Sequence, residues 1–187
     1  MNLILLFYDC SDFTQKEDNM SDNMRSCELN IPYPEVKTGG NNLYYASLLT
    51  NDYAGVISEM SAVAKYIFQH LVTSNKKIAD TVSCISVVEM RHMKFLGEII
   101  RDFGGNPRLA VQSGCNTVFW NAQHIGYDTD PRTYLKDNIA NEKAAIASYS
   151  NRINQINDIY VQKVLERIIL DEKNHIGLFH ALIDEYF

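Results

Sequence analysis

Six residues of this 187-residue chain have the types and spacing to bind metal. Glu89 and His92 lie three apart in VVEMRHMKF, and Glu172 and His175 lie three apart in DEKNH. On a helix, positions i and i+3 project from one face, so each pair can offer a carboxylate oxygen and an imidazole nitrogen to one ion. Glu59 and Glu142 each precede such a pair by 30 residues. Oxygen and imidazole donors suit Fe or Mn and need no thiolate beside them. Two Glu and two Glu-x-x-His segments projecting inward from four helices make a di-iron or di-manganese carboxylate arrangement.

The six positions belong to an internal repeat. Glu59 and Glu142, Glu89 and Glu172, and His92 and His175 are all 83 residues apart, as are Tyr66 and Tyr149. Apolar positions keep the offset: Val63 with Ile146, Val82 with Leu165, Ile85 with Ile168, Ile99 with Leu182. The chain reads as two copies of one helical hairpin, related by a pseudo-twofold axis. Each ligand-type residue interrupts an apolar stripe. Ile78, Val82 and Ile85 lead up to Glu89 and His92, and Leu96, Ile99 and Phe103 follow. Leu135, Ile139, Glu142, Ile146, Tyr149, Ile153 and Ile156 share a face, as do Val161, Leu165, Ile168, Glu172, His175, Phe179, Leu182 and Tyr186. An unpaired buried charge costs several kcal/mol, against net domain stabilities of roughly 5–15 kcal/mol. Arg91 and Lys94 lie off the stripe, so salt bridges do not account for the burial. Two metal ions do.

Other polar residues carry weaker signals. Asp171 precedes Glu172 and is placed either to accept a proton from a ligand imidazole, outside the ligands themselves, or to face solvent. Its counterpart in the first half is Val88, so the repeat breaks there. Tyr66 and Tyr149, two turns beyond Glu59 and Glu142, stand either beside the metals or as half-buried tyrosines with any nearby acceptor. Asp52 is read as a cap on the polar layer. His70 lies about three turns from Glu59, roughly 16 Å along the axis, and is read as a non-ligand. His124 and His180 have no spacing that recommends them. Trp120 is expected to anchor the connection in which it lies.

The elements that must position these residues are helices. The four prolines, Pro32, Pro34, Pro107 and Pro131, leave two long gaps. Helices are expected from about Asn41 to Val72, Asn75 to Phe103 (stopping at Gly104-Gly105), Asp130-Pro131 to Ile156, and Asn157 to Tyr186. The 27-residue connection from Gly104 to Asp130 is expected to hold a short helical turn. The fold class is all-α, a four-helix bundle with one long crossover between helices 2 and 3. Residues 1–40 are expected to be an irregular N-terminal segment and 41–187 the bundle domain.

Composition narrows the function. The net charge is −6 with no Lys/Arg cluster, which disfavours nucleic acid and anionic membranes. The apolar run Leu3–Tyr8 is too short and wrongly flanked for a secretory signal or a membrane span, so a cytoplasmic protein is expected. Cys10, Cys27, Cys84 and Cys115 form no CxxC pair and are read as reduced thiols, with Cys84 a small helix residue.

YPEVK at Tyr33, NDYAGVISEMSAVAKYIFQ at Asn51, VEMRHMKFLGEIIRDFGGNPR at Val88 and DEKNH at Asp171 resemble the ferritin-like superfamily, and more closely its manganese-catalase-like and rubrerythrin-like branch. The resemblance runs from about Ile31 to the C-terminus. It implies Glu59, Glu89, His92, Glu142, Glu172 and His175 as ligands of two Fe or Mn ions. It leaves Glu172 either a ligand or the catalytic proton-transfer carboxylate. Rubrerythrins carry a rubredoxin-like domain with paired CxxC motifs, which this chain lacks. The resemblance implies a redox enzyme acting on hydrogen peroxide, catalase-like or peroxidase-like, with an external electron donor in the second case. It also implies a homodimer or higher homo-oligomer. Two other functions use the same ligands: iron handling as a ferroxidase acting on dioxygen, and a structural, coat-type metal-binding bundle.

Overall fold

Capping residues start the helices. The computed structural model describes residues 27–113 and 116–187. Its helices are α1 (Leu43–Ala54), α2 (Glu59–Val72), α3 (Lys76–Asp102), α4 (Pro131–Gln155) and α5 (Ile159–Tyr186). The side chains of Asn42, Ser58, Asn75, Asp130 and Asp158 accept from backbone N–H groups of the first turns, which otherwise lack partners. Pro131 occupies the first turn of α4, as the Asp-Pro pair suggests.

The expected first helix, Asn41 to Val72, is not continuous. It stops at Gly55, whose N–H bonds to the Asn51 carbonyl. A Cβ at Gly55 would lie 2.5 Å from that carbonyl oxygen, so glycine permits the close approach. Ser58 then caps a new helix at Glu59. The stripe alone did not reveal a break that leaves both segments apolar on one side. The two hairpins, α2 with α3 and α4 with α5, pack side by side, α3 also meets α5, and α1 lies against α3 and α4. This is the four-helix bundle with a long crossover.

The crossover contains the expected helical turn, a 3-10 turn at Ala122–His124. It also contains a hairpin, β1 (Ala110–Ser113) and β2 (Asn116–Phe119), paired antiparallel with Ala110 opposite Phe119. Strands of four residues are too short for alternation to be read in sequence. The hairpin rests on α1, and Trp120 anchors the connection by donating from Nε1 to Ser61 Oγ at 2.9 Å.

The core is divided in two. Leu49, Leu96, Ile99, Phe103, Val161 and Leu165 belong to one apolar cluster; Ile78, Val82, Ile85, Leu135, Phe179 and Leu182 belong to the other. The ligand-type residues of α3 and α5 fall between these sets in sequence, so the polar layer separates two apolar ones.

Residues 27–42 form an irregular strap along α3 and α5. Arg167 donates from Nε to the Ile31 carbonyl and from Nη2 to the Leu29 carbonyl, each at 2.8 Å, and Asn174 Nδ2 donates to the Cys27 carbonyl at 2.9 Å. Cys27 and Cys84 form a disulfide, with Cα atoms 6.1 Å apart. That corrects the expectation of reduced thiols at both positions: the strap brings together two cysteines that are 57 residues apart and share no local motif. Cys10, Cys115 and the expected irregular stretch up to residue 26 lie outside the described residues. Among the described residues no helix is long and apolar enough to cross a membrane.

Candidate metal centre

Glu59 opens α2, Glu89 and His92 lie midway along α3, Glu142 lies on α4, and Glu172 and His175 lie on α5. All six are at most 4% exposed. The structure brings them together as two overlapping sets. Glu59, Glu89, His92 and Glu172 offer donor atoms within 4.8 Å of one another, and so do Glu89, Glu142, Glu172 and His175. Glu89 and Glu172 belong to both sets. Each set then adds one glutamate and one histidine of its own, as a pseudo-twofold pair of ion sites requires.

The donor geometry fits cations better than hydrogen bonds. His92 Nδ1 lies 3.1 Å from Glu89 Oε2, 3.0 Å from Glu172 Oε1 and 3.8 Å from Glu59 Oε2. His175 Nδ1 lies 3.1 Å from both Glu89 Oε1 and Glu172 Oε2. One imidazole nitrogen carries at most one proton and cannot serve several oxygens at once. Glu89 Oε1 and Glu172 Oε1 are buried and accept no hydrogen bond. A divalent ion beside each Nδ1 would satisfy these lone pairs together, and the mixed oxygen and imidazole set suits Fe or Mn.

Electrostatics shows what the cluster does without ions. Burial, then the neighbouring Glu89 charge, raises Glu59 and Glu142 well above their ordinary value and so favours their neutral forms. Burial opposes charging of the imidazoles, but the facing carboxylates outweigh it. His92 is raised well above its ordinary value and His175 is raised to about 10. Burial likewise opposes ionisation of Glu89, yet His175 and His92 hold it below the usual range. The cluster thus favours protons in the region that two cations would take.

A ring of hydrogen bonds supports the cluster. Tyr66 OH donates to Glu142 and Tyr149 OH to Glu59, each joining one hairpin to the other. Burial, then the carboxylates, raises both phenols well above their ordinary value, so they remain donors. Gln69 and Asn138 exchange a reciprocal pair of amide bonds at 3.0 and 2.8 Å. Asp52, the expected cap, is buried and accepts from Arg152 Nε at 2.7 Å and from the Ser148 hydroxyl.

The repeat breaks where Val88 replaces an aspartate. His92 Nε2 lies 3.3 Å from Asp171 Oδ2 and 3.0 Å from Tyr33 OH, whereas His175 Nε2 has no partner. Asp171 also receives Tyr33 OH and the Leu29 N–H at 3.0 Å, and Arg167 Nη1 stands 2.6 Å away. Burial opposes ionisation of Asp171, but these donors hold it below the usual carboxylate range. Of its two sequence readings, the structure therefore shows a fully buried carboxylate on an imidazole.

Not every histidine joins the cluster. His70 Nδ1 lies 2.9 Å from the Ala79 carbonyl oxygen. His124 lines a cavity of about 340 Å³ whose wall includes Glu59, Glu89, Glu142 and Glu172. Three residues near the centre carried no recognised signal. Arg167 sits four residues before Asp171, a helical pair spacing that could have been read. Tyr33 comes from the strap; the YPEVK stretch it opens carried the resemblance but gave it no role. Lys65 lines the cavity and is 7% exposed; burial lowers its ammonium to about 8.

The chain is similar to known proteins over most of its length. The chain is 24% identical over 169 residues to a probable manganese catalase of Clostridium acetobutylicum, covering 81% of this chain and 75% of that protein. It is 27% identical over 130 residues to a bacterioferritin of Desulfovibrio desulfuricans, covering 66% of this chain and 67% of that one. The fold matches KatB, a manganese catalase from Anabaena PCC7120, with a TM-score of 0.76 at 23% identity over 84% of this chain and 79% of that chain. It also matches a Rhodobacter capsulatus bacterioferritin with a TM-score of 0.64 at 20% identity, over 79% of this chain and 88% of that chain. Residues 53–183 match the family model of rubrerythrin, and with that match across most of its length the chain belongs to this ferritin-like family.

Proposed function

We propose that this chain is a dinuclear Fe or Mn oxidoreductase acting on hydrogen peroxide, catalase-like or peroxidase-like. The observation that carries the reading is the pair of buried donor sets sharing Glu89 and Glu172 beside a cavity that would admit a molecule as small as peroxide. Glu59 and His92 would hold one ion, Glu142 and His175 the other, and Glu89 and Glu172 would bridge. When bound, the two ions supply a two-electron redox pair and open coordination positions. The chain's own residues fix the donors and exclude bulk water. Tyr66 and Tyr149 orient Glu142 and Glu59. Asp171 and Tyr33 orient His92. In the alternative where Glu172 does not bridge, Glu89 is the shared ligand and Glu172, on the cavity wall, is the carboxylate we assign to proton transfer.

The test is purified protein loaded with Mn or Fe and given hydrogen peroxide. Oxygen evolution without added reductant supports the catalase-like form; peroxide loss that needs a reductant supports the peroxidase-like form and an external donor. Protein that holds two ions and does neither refutes the reading. Similarity to bacterioferritins favours a second reading, ferroxidase or iron handling. Uptake of iron into a large symmetric shell, seen by light scattering, would select that reading over a homodimer with peroxide turnover. A structural bundle predicts metal-dependent melting with no turnover at all.

A further inference from the structure

Lys65 is a buried ammonium that the dinuclear centre does not explain. It is 7% exposed, and among the described residues no carboxylate oxygen lies within 4.0 Å of it. Its nearest aromatic partner is the Tyr66 ring, with Nζ 5.1 Å from the centroid. The carboxylates whose fields reach it are Glu142 and Glu89 on the cluster side and the exposed Asp137. Asp52, on the same cavity wall, is already committed to Arg152 and Ser148. Four cluster carboxylates balance two divalent ions, so in the loaded protein Lys65 adds a positive charge that no group in contact neutralises. His124 lines the same cavity, and its Nδ1 is buried without a hydrogen-bond partner. With the cluster carboxylates committed to two ions and Asp52 to Arg152, an ammonium without an ion pair and an imidazole nitrogen unpaired among the described residues suit a small anion on this wall.

We propose that the cavity walled by Lys65 and His124 is a binding site for small monoanions, with Lys65 positioning the hydroperoxide anion or an anionic inhibitor of similar size beside the Glu142 side of the centre. This rests on the dinuclear reading above.

The test uses metal-loaded wild type, Lys65→Met and Lys65→Arg, each checked for two ions per chain by elemental analysis. Azide affinity is followed by the absorption band it induces at the metals, and crystals soaked in bromide are examined by anomalous scattering. Azide binding is expected to weaken by about tenfold in Lys65→Met, as for loss of one charge-assisted hydrogen bond, and to recover in Lys65→Arg. Bromide density is expected within hydrogen-bond distance of Lys65 Nζ in wild type. Unchanged azide affinity in fully loaded Lys65→Met, or wild-type crystals with no bromide in this cavity, would overturn the proposal and leave the dinuclear reading standing. Wild type that holds no pair of ions would sink both.

Discussion

Metal loading should expel protons, and the structure shows which groups give them up. Without ions, His92 and His175 are held charged by the carboxylates they face, while burial, then the Glu89 charge, biases Glu59 and Glu142 toward their neutral forms. Two imidazole protons therefore sit on groups that must lose them to ligate, and the two carboxyls favour holding theirs. Loading two ions near pH 7 should release roughly two to four protons. The sign follows directly. All four groups have raised folded-state values, so each holds its proton to a higher pH than a free group of its type. Affinity should then rise with pH by about one to two log units per pH unit for each ion near neutrality, and fall as the solution becomes acidic. Calorimetric titration of Mn(II) in buffers of different ionisation enthalpy measures the proton count as the slope of observed heat against buffer enthalpy. Glu59→Gln should lower that count by about one. A slope near zero with two ions bound would refute the protonated cluster, because ligation would then have met donors already free.

Three further outcomes test the surroundings of the centre. Reducing the Cys27–Cys84 disulfide, which spans 57 residues, should cost about 4 kcal/mol by the chain-entropy argument, read as a lower urea midpoint; an unchanged midpoint would show that the strap is not tied there. Arg167→Met leaves the buried Asp171 carboxylate without its guanidinium and should cost about 3–5 kcal/mol in thermal or urea unfolding, while a neutral result would mean Tyr33 and Leu29 suffice. Asn138→Leu orphans the Gln69 amide and should cost about 1–3 kcal/mol, with partial recovery when Gln69→Leu is added; strict additivity of the two would contradict their pairing.

The bundle and its polar layer were legible because both rest on periodicity. Spacings of three and four put Glu89, His92, Glu172 and His175 on interior faces, and the 83-residue offset tied Glu59 to Glu142. Physical cost then turned six buried ionisable residues into an expectation of metal. What periodicity could not carry was anything set by a distant segment or a single residue. The break at Gly55 depends on one missing Cβ, and the hairpin after Leu109 on strands shorter than any readable period. The disulfide, Tyr33 and the carbonyls that receive Arg167 all come from the strap, whose contacts span more than fifty residues. Lys65 lies one position before Tyr66, and a lysine there reads as an exposed face until the cavity is seen.

The strap also explains why the two halves are not equivalent. A duplicated hairpin would give two identical ion sites, yet among the described residues the strap lies against one side of the bundle. It lies on the α3 and α5 side, where Asp171 bonds to Leu29 and Tyr33 and passes that order to His92 Nε2. On the other side Val88 stands where an aspartate would be, and His175 Nε2 has no partner among the described residues. An imidazole anchored by a carboxylate is a stronger and better-oriented donor than one without. The Glu59–His92 position should therefore bind its ion more tightly than the Glu142–His175 position. The weaker position is the one nearer Lys65 in field, so the ion held less firmly and the wall suited to anions fall on the same side of the centre. Symmetry of sequence thus places the donors in pairs, and its breaking by one residue and one strap gives the pair a direction.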